Sequence, residues 1–140
     1  MKLTTTLELL RQHNACERSY DLIADHVGRD FTGEIDLLTI LDNNGVADCA
    51  WALRAAQQPE MREIATEFAI KCAQPYCSDP AWQTWATNWL NGSDRSREAA
   101  AVEAAAAWAA AVEAAWQTWA AAWAAAELAR QSAILRELLK

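Results

Sequence analysis

The stretch AWQTWATNW at Ala81–Trp89 decides how this chain is read, and it returns as AWQTWAAAW at Ala115–Trp123. At about 100° per residue, an α-helix brings Trp82, Trp85 and Trp89 within an arc of roughly 60°. Trp116, Trp119 and Trp123 fall in the same arc. Each group is a ridge of indoles on one helix face. Trp108 and Val112 extend the second ridge toward its N-terminus, and Ile134 continues it. Such a ridge reads first as core or homo-oligomer packing and second as an aromatic hot spot for a protein partner. If either ridge touches another molecule, the one expected to do so is that of Trp116, Trp119 and Trp123. No Gly-rich phosphate loop accompanies the rings, so no cofactor is expected.

The rest of the chain is also predicted to be helical, because no stretch alternates β-branched residues. Thr5, with Glu8 three residues on, makes a capping box for a first helix. Asn14 separates it from a second helix, which it caps and which stops at Gly28. In FTGEIDLLTILDNNG, Leu37, Ile40 and Leu41 form the stripe of a third helix, with Gly45 just past its end. VADCAWALRAA makes a fourth. Pro59 opens a fifth, with Met61, Ile64, Ala65 and Phe68 at helical spacing. Asp79-Pro80 is an N-cap followed by proline at the first helical position, the start signal of a sixth.

Beyond Gly92 the composition changes. Eighteen of the 28 residues from Ala99 to Ala126 are alanine, and no Gly or Pro occurs from Ser93 to Lys140. One helix of roughly forty residues or more is expected there, about 60 Å long at 1.5 Å per residue. The expected fold is therefore all-α: a single domain over residues 1–140. About six short helices in an acidic part, 1–92, form a compact bundle on one long Ala/Trp-rich helix, 93–140.

The chain carries a formal net charge of −7. Glu17, Asp21, Asp25, Asp30, Glu34, Asp36, Asp42 and Asp48 crowd the stretch between residues 17 and 48, opposed by only Arg18 and Arg29. Direct nucleic-acid binding needs a basic footprint and is not expected. A basic protein partner, mimicry of nucleic acid, or a solvated face that keeps the protein soluble all fit this charge. Asp25, Asp30, Glu34, Asp36, Asp42 and Asp48, with Arg54, are the candidate partner-binding residues. Asp48 is also expected to cap a helix, and Arg54 to lie at a surface. The N-terminus has no apolar run suited to a secretory signal. The alanine-rich region, interrupted by Glu103 and Glu113, falls short of a membrane span. A cytoplasmic protein with reduced thiols is expected.

Chemistry is sparsely signalled. Cys16, Cys49, Cys72 and Cys77 offer no usual zinc spacing, and Cys49 and Cys72 read as buried apolar thiols. DNNGVAD begins like a calcium loop at Asp42 and Asn44, but Val46, Ala47 and Leu53 occupy positions that need a ligand, Gly and Glu. No metal site and no catalytic residue is expected, and the chain reads as a non-enzyme.

The run LDNNGVADCAWALRAA, followed by EFAIKCAQ and an Ala/Trp-rich tail, resembles the immunity proteins of bacterial polymorphic toxin systems, a family with relatives in phages. The matching features are Asn44-Gly45, Asp48, Trp51-Ala52-Leu53-Arg54, Phe68-Ala69, Cys72-Ala73 and the repeated AAW steps, over roughly Leu37 to Ala126. The resemblance implies an all-α, non-enzymatic protein that neutralises a toxic effector by binding it. Complementary charge would speed encounter with a basic enzyme, and the same physics would serve a phage inhibitor of a host defence nuclease. The alternatives are a self-assembling helical scaffold, paired through the long helix, and an acidic mimic of nucleic acid.

Overall fold

The computed structural model describes residues 2–75, 77–96 and 121–140. The protein is mostly helical, with one small antiparallel sheet. The described elements are β1 (Thr4–Thr5), α1 (Leu7–Gln12), α2 (Glu17–Val27), β2 (Ile35–Asp36), α3 (Leu37–Asn44), α4 (Val46–Ala52), α5 (Met61–Ala73), α6 (Pro80–Leu90) and α7 (Ala121–Leu139), with a 3-10 turn at Leu53–Ala55. They fall into two compact units. One comprises Met1–Ile64 and Ser132–Lys140, the other Ala65–Gln131, so the divisions lie inside α5 and α7.

The first unit begins with three threonines that have three different jobs. Thr4 and Thr5 form β1 and pair with Asp36 and Ile35 of β2. The fully buried Thr5 hydroxyl donates to the Ala55 carbonyl at 2.7 Å. Thr4 is clamped by Gln58: its N–H donates to Oε1 at 2.8 Å, and its hydroxyl accepts from Nε2 at 2.9 Å. Each buried polar group thereby keeps a partner. Because Thr5 is taken into the sheet, the cap of α1 is Thr6, which accepts from the Leu9 N–H at 3.1 Å, and not Thr5 as expected. Glu8 instead accepts from Gln12 one turn on.

Asn14 also departs from expectation. It adopts the left-handed conformation, φ 61°, that asparagine tolerates better than most side chains. The Ala15 N–H reaches the Leu10 carbonyl and the Asn14 N–H that of Arg11, both at 3.0 Å. This is a Schellman closure. Asn14 therefore ends α1, and the N-cap position of α2 falls to Cys16, whose side chain makes no capping bond.

Helix α2 stops at Gly28, φ 100°, and α3 carries the buried stripe Leu37, Ile40 and Leu41, both as expected. Asp36 caps α3 through the Leu38 N–H at 3.0 Å. Gly45, φ 96°, both ends α3 and begins α4, a conformation that a side chain would resist. The chain thus turns sharply, and α3 packs against α4 and α2. The core of this unit includes Leu3, Leu7, Leu10, Ile23, Ile35, Leu37, Ile40, Cys49 and Leu53, closed by Leu135 and Leu139 from the end of α7. Arg136 of α7 pairs with Asp42 of α3.

In the second unit, Asp79 caps α6 through the Trp82 N–H at 2.9 Å, and Pro80 takes the first helical position. Trp82 and Trp89 are buried with Ile70, Ala73 and Ala86, and Trp85 packs against them. The first Trp ridge is therefore core. Glu127, 6% exposed, is gripped by Arg130 through both oxygens, at 2.7 and 3.0 Å. Arg130 also donates to the Lys71 and Cys72 carbonyls at the end of α5, at 3.2 and 3.0 Å. A cation is well placed against those carbonyls at a helix C-terminus.

The expected helix over 93–140 does not begin at Ser93, because residues 93–96 are not helical. Asn91 and Asp94 compete for the backbone there: their side chains accept from the N–H groups of Ser93 and Ser96, two residues on. Arg95 donates to the Trp89 carbonyl and lies 4.6 Å over the Trp89 ring. Helix α7 is described from Ala121, and the stretch between lies outside the described residues. Likewise α4 gives way to the 3-10 turn after Ala52, and α5 begins at Met61, so Pro59 precedes it.

Candidate functional site

The sequence-predicted acids separate into two groups. Asp36 caps α3 and lies 3.6 Å from Lys2, Asp42 is paired with Arg136, and Asp48 is bound into a polar network. The others face solvent on α2 and the turn after it. Glu17, Asp25, Asp30 and Glu34 are exposed, and Asp21 is half-buried. Arg29 reaches back to Asp21 at 3.0 Å and Asp25 at 2.7 Å, and this pairing raises its own pKa. Two large apolar side chains stand exposed in the same stretch, Leu22 at 44% and Phe31 at 40%. The Phe31 ring lies on Gly33: a β-carbon there would come within 2.7 Å of its edge. Arg54 is exposed, as expected, and lies 5.1 Å over the Trp51 ring. Trp116, Trp119 and the side chain of Trp123 lie outside the described residues.

The opposite face of α2 borders a cleft of about 270 Å³, which the acidic pattern did not reveal. Helices α1 to α4 line it. Leu10, Ile23, Ile40 and Trp51 supply apolar walls, while Cys16, Ser19, Asn44 and Asp48 form a polar seam. The Cys16 thiol donates to the Ser19 hydroxyl at 2.9 Å, and Ser19 donates to one Asp48 oxygen at 2.9 Å. Asn44 donates to the other Asp48 oxygen at 3.0 Å and to the Ser19 carbonyl at 2.8 Å. Asp48 was expected as a helix cap. Instead it ties α4 to α2 and α3, because Gly45 already begins α4 and leaves the carboxylate to neighbours across the turn.

The cysteines differ sharply. The exposed Cys16 thiol has a lowered pKa, because hydrogen bonding to the Ser19 side chain and then to the Ser19 N–H favours the thiolate, against desolvation and the like charge of Asp48. Burial pushes the Cys49 and Cys72 thiols up to about 12. Among the described residues, no group of three or more His, Cys, Asp or Glu is placed to hold a metal ion. No described helix is long and apolar enough to cross a membrane.

Ser19 and Tyr20 were missed as site residues. Cys16–Ser19 and Asn44–Asp48 are each visible as helical-spacing pairs, but nothing local joins the two pairs. Compared with protein-family models, with curated proteins and with solved structures, the chain matches none.

Proposed function

We propose that this chain is a non-enzymatic, protein-binding inhibitor that holds a basic effector against α2 and the turn that follows it. One observation carries the reading: Glu17, Asp25, Asp30 and Glu34 are exposed alongside Leu22 and Phe31. Acids alone describe a soluble surface. Acids around exposed apolar side chains describe an interface, in which charge steers the encounter and the apolar groups slow dissociation. Asp36, Asp42 and Asp48 drop out as contacts because the fold already engages them. The immunity-type role, or its phage anti-defence counterpart, rests on the sequence resemblance together with this face.

Affinity purification from the native host should recover one stoichiometric basic partner, whose affinity falls as salt rises. The triple substitution Asp25→Lys, Asp30→Lys and Glu34→Lys should abolish its capture with the helical spectrum unchanged. A partner retained by that variant, or one insensitive to salt, would remove the acidic face from the reading.

A further inference from the structure

Among the described residues, Asp48 has no cationic partner. Both oxygens accept hydrogen bonds, but the donors, Ser19 and Asn44, are neutral. Among the described residues, no Lys, Arg or His lines the cleft and no ion pair reaches Asp48. Two cations lie on rings that line the cleft, Tyr20 and Trp51, without pairing with Asp48. Arg11 donates to the Tyr20 hydroxyl at 2.8 Å and covers its ring at 4.7 Å, and Arg54 lies on Trp51. Arg18 is exposed on α2. The half-buried Asp48 carboxylate, in a cleft that Leu10, Ile23, Ile40 and Trp51 also line, thus offers a hydrogen-bond acceptor with no ionic partner among the described residues.

We infer that this cleft is a binding site for a small organic cation, a primary amine on an aromatic or branched apolar body. The ammonium donates to Asp48 beside Ser19 and Asn44, and the body fills the space against Ile23, Ile40 and Trp51. The volume sets the size: 270 Å³ lies just below the range of drug-sized sites, about 300–1,000 Å³, so the ligand is a monoamine with a single ring system. This site lies on the face of α2 away from Asp25 and the other acids, and it stands or falls independently of the protein-binding reading.

The test titrates the full chain with phenethylamine and, separately, with the neutral phenethyl alcohol, following backbone amide shifts by NMR. Phenethylamine should shift Ser19, Asn44, Asp48 and Trp51 in a saturable way, at least about tenfold more tightly than the alcohol, as a charge-assisted hydrogen bond requires. Asp48→Asn should erase the preference for the amine. Ala47→Phe, at an exposed position on the cleft wall, should block both probes without disturbing the core, and so keeps the test decisive if Asp48→Asn unfolds the chain. Equal binding of amine and alcohol would overturn the inference. So would shifts confined to the acidic face of α2, or amine binding unchanged in Ala47→Phe.

Discussion

The two units solve the problem of burial in different ways. In the unit of Met1–Ile64 and Ser132–Lys140, polar side chains stitch segments together: Gln58 on Thr4, Thr5 on Ala55, Ser19 and Asn44 on Asp48. In the unit of Ala65–Gln131, Trp82, Trp85 and Trp89 fill space, and the buried Nε1 groups of Trp82 and Trp85 have no acceptor among the described residues. Trp82 and Trp85 sit tilted at 48° with ring centroids 6.4 Å apart, a favourable geometry for aromatic pairs. Directional bonds specify which segments meet, whereas large rings supply area and tolerate a missing bond. The candidate surfaces follow the same division, since the stitched unit holds both the acidic face and the cleft.

Removing mass from the tryptophan core should cost most. Trp89→Ala should lower stability by about 3–5 kcal/mol, read as a fall in the urea midpoint. Trp82→Phe sharpens the contrast. It discards an indole N–H with no described acceptor but also shrinks the ring, so it should cost about 1–3 kcal/mol, the cavity term of a partial truncation. A Trp82→Phe loss as large as that of Trp89→Ala would mean that Nε1 is bonded after all.

Ser19→Ala tests the stitched unit. Loss of one donor to Asp48 should cost about 1–3 kcal/mol. It should also slow alkylation of Cys16 at neutral pH, because the Ser19 side chain, the leading cause of the lowered Cys16 pKa, is gone. Destabilisation with unchanged Cys16 reactivity would uncouple the two.

The buried thiols supply a test that spans both units. Cys49 and Cys72 keep their protons in the folded state up to about pH 12, while in the unfolded chain they lose them near 9.0. The unfolded state therefore binds fewer protons above that point, and stability falls as pH rises from 9 toward 12, with no effect below. Cys49→Ala and Cys72→Ala should each flatten the alkaline limb of a urea-midpoint profile. The smallest effect belongs to the surface: Arg29→Ala should cost less than about 1 kcal/mol, since its pairs with Asp21 and Asp25 are exposed.

Much of the helical layout was legible because stop and start signals act locally. Gly28, Gly45 and Asp79-Pro80 do what their backbone chemistry dictates wherever they stand. Competition between neighbours was not legible. Thr4, Thr5 and Thr6 are chemically alike, and only pairing with Ile35–Asp36, thirty residues away, decides which of them caps α1. A two-residue strand carries no alternation to read. Asn14 satisfies both an N-cap rule and a left-handed C-terminal rule, and the Leu10 and Arg11 carbonyls settle the choice. The cleft was hidden for the same reason, since it exists only once α2 meets the α3–α4 corner. Which acids the fold engages was not legible either, because composition does not distinguish a carboxylate spent on Lys2, Arg136 or Ser19 from one left in water.

The discontinuity of the first unit has a consequence in time. Leu135 and Leu139 complete a core whose other members lie before Ala65. At about 5–20 residues per second of synthesis, on the order of several seconds pass between the emergence of Ile64 and that of Leu135. Through that interval the nascent chain carries a core that still lacks its last two buried leucines.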